Sequence, residues 1–352
     1  MTRLLTCGYE TGDINEAGAS TISGPSTIAV VNGTPTPRAP GTYCLKVLCT
    51  SGGSIATYKT FTLSAAKTEV WIRFNIYIHP AGGSEYTIAV IFDSTSTAQT
   101  YIGWNNSTTV LILHLGSGAT LATSVATMSA DAWHLMEWRT QITSTTVGVS
   151  EIWLDGTRVI NFAGDNTNTA NANVQSVNLG FCGGAAVSTG MYVALDDIAI
   201  NDTSGTINNG QISDGRVVLL KPNGVGTNTA QTRGGTDSGN NWDQCNELPP
   251  SMTDYVYSAT AGTRDTYALE DMPAGSWSVN CVEVLAYAQN SDTNPGSLGL
   301  TLKSGATTSE GTAQALNSTA AYYRQLYETD PNTTATWTNT AVNALEAGTT
   351  VR

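Results

Sequence analysis

Along much of the chain, apolar residues alternate with polar ones in short runs set between clusters of Gly, Ser, Asn and Asp. In Val70-Trp71-Ile72-Arg73-Phe74-Asn75-Ile76-Tyr77-Ile78 one parity reads Val, Ile, Phe, Ile, Ile and the other Trp, Arg, Asn, Tyr. Successive side chains of a strand point to opposite faces, so one face of this run belongs to a core and the other is amphipathic. Tyr43 to Cys49, Tyr58 to Leu63, Glu85 to Phe92, Thr109 to Leu115, Trp133 to Ile142, Val147 to Leu154, Val177 to Phe181 and Tyr192 to Ile200 carry similar aromatic or β-branched residues. Many short strands with turn residues between them predict an all-β sandwich. Asp155-Gly156 joins the run ending at Leu154 to Arg158-Val159-Ile160-Asn161, which predicts a tight hairpin.

Asn201 to Asp214 contains no aromatic residue and two isolated isoleucines, and the domain boundary is expected there, between residues 203 and 204. Beyond it Val217 to Leu220, Asp254 to Tyr257, Thr266 to Leu269, Ser276 to Ala288, Ser297 to Lys303 and Ala321 to Glu328 read as strands of a second β-sandwich over 204–352. Asn339 to Gly348, with its polar start, Ala/Leu interior and terminal Gly, predicts a short helix near the C-terminus. The expected fold class is therefore all-β, two β-sandwich domains of jelly-roll type with that one short helix.

Composition narrows the partners. Charged residues make up 12% of the 352, where about a quarter is usual, so the surface is polar but mostly uncharged. The net charge of -13 is shared evenly, with 14 acidic residues on each side of residue 203, so neither part hides a basic face. Nucleic acid and membrane surfaces are disfavoured as partners. No apolar run approaches the ~18 residues of a membrane span, and the opening residues lack the apolar stretch of an export signal, so synthesis in the cytosol is expected.

The six cysteines show no CxxC pair and read as buried thiols, without a zinc site. His79, His114 and His134 are scattered, and no partners for nucleophilic catalysis are evident around them. Gly52-Gly53, Gly82-Gly83, Gly183-Gly184 and Gly234-Gly235 read as loop corners, not phosphate loops.

Trp71-Ile-Arg-Phe-Asn-Ile-Tyr-Ile, Trp133-His-Leu-Met-Glu-Trp-Arg, Gly148-Val-Ser-Glu-Ile-Trp-Leu-Asp-Gly-Thr-Arg-Val, Leu179-Gly-Phe and Leu195-Asp-Asp-Ile-Ala-Ile-Asn-Asp follow one another along the chain. Their order resembles that of concanavalin A-like (laminin-G-like) jelly rolls over roughly residues 1–203. The opening Met1-Thr-Arg-Leu-Leu-Thr-Cys-Gly-Tyr-Glu-Thr-Gly resembles the start of tailed-bacteriophage virion proteins that carry such a domain. Asp214-Gly-Arg-Val-Val-Leu-Leu-Lys-Pro-Asn-Gly, Leu269-Glu-Asp-Met-Pro and Trp337-Thr-Asn-Thr-Ala-Val-Asn-Ala-Leu-Glu-Ala-Gly look like their companion C-terminal β-domain. The resemblance implies a structural component of the particle exterior, present in many copies or as a homo-oligomer among other virion proteins. A capsid decoration protein or compact tail accessory is favoured over a tail fibre or receptor-binding lectin, because no heptads or repeats are visible.

Some concanavalin A-like proteins are glycoside hydrolases. In Glu151-Ile-Trp-Leu-Asp155 the two acids lie ~13 Å apart along a strand, too far for a glycosidase pair. The expectation is accordingly that the chain is not an enzyme. Asp196-Asp197 is a weak candidate for Ca²⁺, because adjacent strand residues point to opposite faces. Sugar sites use an exposed aromatic face with Asn or Asp beside it. Trp104 with Asn105 and Asn106, in a turn-like stretch, is the leading candidate for a host surface glycan; Tyr101 is expected to share its face, and Trp242 is a second exposed candidate.

Overall fold

The computed structural model describes residues 3–82, 85–144, 146–183, 186–236, 239–292 and 294–352. Gly83 and Gly184, taken above as corners, and Met1 and Thr2 of the opening phrase lie outside them. The chain is all-β, with one short α-helix near its C-terminus, and divides into two compact units, Met1–Val217 and Val218–Arg352. Among the described residues no helix is long and apolar enough to cross a membrane.

The first unit is a sandwich of two antiparallel sheets. One sheet runs in the order Thr157–Ala163, Val149–Leu154, Trp133–Gln141, Glu69–His79, Tyr192–Asp202, Cys44–Cys49, Ser26–Val31. Arg3–Cys7 is its eighth strand and pairs with the second half of Tyr192–Asp202, while Cys44–Cys49 pairs with the first half. The facing sheet runs Thr120–Thr127, Val110–Leu115, Ala98–Asn105, Glu85–Phe92, Val174–Phe181, Thr57–Lys67, Ala19–Thr21. Val70, Ile72, Phe74, Ile76 and Ile78 all point into the core, as their parity predicted, and pack with Met136, Trp138, Ile102 and Trp104. The outer face of the eight-stranded sheet carries the other parity: Glu69, Trp71, Arg73, Asn75, Tyr77 and His79.

In the second unit the main sheet runs Pro222–Thr229, Arg264–Leu269, Glu346–Val351, Ser297–Ser304, Thr307–Glu310, with Gln314–Ala315 also on Ser297–Ser304. The ribbon Val282–Ala288 with Ala321–Tyr327 covers it, and Val284 and Tyr323 pack there with Leu298, Leu300, Leu302 and Trp337.

Several expectations are corrected. The division falls after Val217 instead of at residue 203, because the intervening segment lies on the outer face of the first unit. There Glu137 Oε1 accepts the N–H groups of Ile212 and Ser213, each at 2.8 Å, and Arg73 Nη1 donates to Gly215 O at 2.5 Å. Val217 to Leu220 is irregular, and the first strand of the second unit is Pro222–Thr229. The helix covers only Asn339–Asn343; Thr338 caps it by accepting from Ala341 N, and Glu346 begins a central strand. Gly52 lies in the bend before the strand Gly53–Ser54, as expected of a corner, whereas Gly234-Gly235 end the strand Thr232–Gly235 and are part of it.

Candidate functional site

The outer face of the eight-stranded sheet gathers polar and aromatic side chains at the end where Glu69–His79 finishes. Register places Tyr77 beside Trp133 and Ala194, and His79 beside Tyr192. Tyr77 and Tyr192 stack almost parallel, with centroids 5.8 Å apart and planes 5° from parallel; His79 also stacks with Tyr192, at 5.0 Å. Trp133 meets Tyr77 edge-on at 5.7 Å. Lys46, from the next strand, holds its Nζ 4.0 Å above the Tyr192 ring, a cation–π contact. Partial burial lowers the Lys46 ammonium below the ordinary lysine range, and burial together with the Tyr77 hydroxyl raises the Tyr192 phenol.

The segment between Ser26–Val31 and Cys44–Cys49 is fastened over this face. Thr34 O accepts from Lys46 Nζ and Thr36 O from Trp133 Nε1, each at 2.8 Å, and Arg38 N donates to Asp196 Oδ2 at 3.2 Å. Between this segment, the end of Trp133–Gln141, the Asp155-Gly156 turn and the segment at 211–214 lies an open cleft of about 430 Å³. Trp133 and Leu135 supply its apolar wall; Arg38, Glu137, Asp155 and Asp214 supply charge of both signs.

Asp196 and Asp197 correct the strand-parity argument. Asp197 has φ of 50° and the pairing with Glu69–His79 slips between Asp196 and Ala199, a bulge that turns both carboxylates to one neighbourhood. All four oxygens accept hydrogen bonds: Asp196 Oδ1 and Oδ2 from Asp197 N and Arg38 N, Asp197 Oδ1 from Val217 N, and Asp197 Oδ2 from Asn75 Nδ2. Arg38 Nη1 also approaches Asp197 Oδ2 at 3.3 Å. Burial and mutual repulsion raise the Asp196 carboxyl, burial raises Asp197, and burial raises nearby Glu10 to about 7. Among the described residues no group of three or more His, Cys, Asp or Glu side chains is arranged to hold a metal ion.

The sugar-site candidates do not come together as expected. Trp104 is not in a turn; it sits in the strand Ala98–Asn105, fully buried, stacked on Tyr86 and donating Nε1 to Met128 O at 3.0 Å. Tyr101, three residues before it, points to the opposite face and stacks on His114 at 4.6 Å. The Asn105 side chain closes its own turn by accepting from Ser107 N and Thr108 N, and Asn106 Nδ2 reaches Gly82 O at 3.3 Å. Trp242, in the second unit, is half-buried on the 3₁₀ helix Asn241–Cys245.

The histidines are not without partners. His79 Nδ1 lies 2.6 Å from Asp131 Oδ1, and His114 Nε2 lies 2.9 Å from Glu85 Oε1. His134 bridges two groups: Nε2 is 2.9 Å from Ser129 Oγ and Nδ1 is 2.7 Å from Asp155 Oδ2. The expectation that no such grouping forms is overturned by the strand pairing of Trp133–Gln141 with Val149–Leu154, which brings the Asp155 turn beside His134.

No family model matches the chain, and no curated protein matches its sequence. Solved β-sandwich structures do resemble its fold. An endo-β-1,4-glucuronan lyase from the fungus Trichoderma reesei is 20% identical, over 57% of this chain and 95% of that one, with a TM-score of 0.46. A carbohydrate esterase from the Shiga toxin-encoding bacteriophage phi24B is 16% identical, over 57% and 98%, with a TM-score of 0.39. A carbohydrate-binding module from Bacillus subtilis is 10% identical, over 53% and 97%, with a TM-score of 0.33. The neighbours are thus carbohydrate-active and carbohydrate-binding β-sandwiches. The expectation that the chain is not an enzyme does not stand, because lyases and an esterase are among the structures it resembles. A missing pair of glycosidase acids excludes only one chemistry.

The Tyr77, His79, Tyr192, Lys46 and Trp133 cluster was absent from the sequence candidates. Its one visible signal was the amphipathic outer parity of the run Val70 to Ile78; the rest depends on which strands lie side by side.

Proposed function

We propose that the first unit binds a polysaccharide across the outer face of its eight-stranded sheet, at the end formed by Trp133, Tyr77, Tyr192 and His79. The observation that carries this reading is the pair of half-buried rings Trp133 and Tyr77, set edge-on and backed by buried Tyr192, next to a cleft with charged donors and acceptors. Sugar rings present axial C–H groups that pack on aromatic faces, while their hydroxyls need fixed polar partners at the rim. The reading rests on these side chains, not on the likeness of fold.

Affinity electrophoresis through gels loaded with individual bacterial and algal polysaccharides tests it. Retardation of the protein by at least one polymer, lost in Trp133→Ala and Tyr77→Ala while Trp242→Ala retains it, is the expected result. Equal migration of all four proteins in every gel refutes the reading.

We further propose, on the phrases that resemble tailed-phage virion proteins, that the chain is a multi-copy component of a particle exterior, as capsid decoration or compact tail accessory. Gold-labelled antibody on purified particles distinguishes head from tail, and absence of label from both overturns the placement.

A further inference from the structure

We propose that Ser129, His134 and Asp155 form a hydrolytic triad that cleaves short acyl esters. Independent features of the backbone hold the three groups in their roles. Asp155 sits in a left-handed turn with φ of 50°, its N–H donating to Leu135 O and its Oδ1 accepting from Leu135 N, both at 2.9 Å. That leaves Oδ2 for His134 Nδ1 at 2.7 Å. A carboxylate accepts, so Nδ1 carries the ring proton and the Nε2 lone pair faces Ser129 Oγ, 2.9 Å away. This is the order of contacts that activates a serine: nucleophile to base, base to the group that orients it.

Ser129 is exposed, on the loop between Thr120–Thr127 and Trp133–Gln141. The loop is pinned on either side of it, by Met128 N donating to Thr109 O at 2.7 Å and Asp131 N to Ile78 O at 2.9 Å. Asp155 also lines the cleft bordered by Trp133 and Leu135, while Ser129 and His134 lie outside its lining.

In the reaction Oγ adds to the ester carbonyl carbon as Nε2 takes the hydroxyl proton. The bond from that carbon to the alcohol oxygen then breaks, and the departing oxygen takes the proton from Nε2. Water, deprotonated by the same nitrogen, adds to the acyl carbon; the C–Oγ bond then breaks as Oγ takes that proton from Nε2, releasing a carboxylic acid and restoring Ser129 and neutral His134. Ser129 and His134 are the catalytic residues; Asp155 is a positioning residue.

The test needs no knowledge of any saccharide, so it is separate from the binding reading above. The full chain is treated with a fluorophosphonate and digested for mass spectrometry, and hydrolysis of p-nitrophenyl acetate is followed in parallel. Expected are a phosphonyl adduct on Ser129 and a fall in kcat of about 10³-fold in Ser129→Ala, with the melting temperature unchanged. Asp155→Asn, which tolerates the left-handed turn, is expected to lower kcat with KM unaltered, a split that a purely structural tie between loop and hairpin does not produce. No adduct on Ser129, or turnover in Ser129→Ala equal to that of the parent protein, overturns the proposal.

Discussion

Asp196 and Asp197 are neighbours in one strand, yet both carboxylates meet Arg38, the first through its main-chain N–H and the second through its guanidinium. The bulge that allows this concentrates acid in a buried place, with Glu10 close enough to be raised by Asp197's charge. An unfolded glutamate releases its proton near 4.5, whereas folded Glu10 keeps it to about 7. Between those values the folded state holds the extra proton, so stability is complete on the acid side and declines as pH rises through 7. Scanning calorimetry is expected to give a higher melting temperature at pH 5 than at pH 8, and Glu10→Gln is expected to flatten that slope. A melting temperature that climbs steadily from pH 5 to pH 8 contradicts it.

Glu137 is buried and accepts three hydrogen bonds from the segment that crosses the sheet, from Ile212 N, Ser213 N and Gln211 Nε2. Its removal leaves the buried Ile212 N–H without its acceptor and releases the exposed Gln211 and Ser213 to water. Glu137→Ala is expected to cost about 3 kcal/mol in urea unfolding and to expose residues 208–217 to proteolysis. Unchanged cleavage there shows that the segment is held by something else.

Trp104 is a core residue, so Trp104→Ala opens a large cavity and is expected to cost about 3–5 kcal/mol. Trp133→Ala, on the outer face, is expected to cost far less. Chemical denaturation of the two variants separates them, and similar midpoints refute the assignment of Trp104 to the core.

Gly348 occupies the middle of a strand flanked on both sides, and a methyl group there presses on the Asp265 carbonyl of the neighbouring strand. Gly348→Ala is expected to destabilise the second unit by about 2 kcal/mol. Hydrogen exchange over Ser297–Ser304 and Glu346–Val351 reports it, and protection equal to the parent protein's counts against it.

The sandwich of the first unit is legible wherever one side chain in two is strongly apolar, as in Val70 to Ile78, or where a turn dictates its neighbours, as Asp155-Gly156 does. It fades where polar groups fill inward positions. Gln99 and Thr100 are buried inside Ala98–Asn105, and their polarity hides that strand and makes Trp104 look exposed. Ala347 and Gly348 suit both a helix end and a crowded strand, and only the neighbouring strands decide between them. The site is less legible still. Tyr77, Tyr192 and Lys46 come from three strands far apart in sequence, and Ser129 and Asp155 reach His134 through strand pairing that no local spacing encodes.

The segment from Gly210 to Val217 runs over Arg73 and Glu137 at the midpoint of the sheet, leaving Trp71 and Trp153 beyond it on one side and Tyr77 and Tyr192 on the other. A polymer entering from the Tyr77 end and following the strands meets this barrier after a few sugar units. Under the binding proposed above, such a face would take the terminus of a polysaccharide, or a chain lying crosswise, and would refuse an interior stretch threaded along its length.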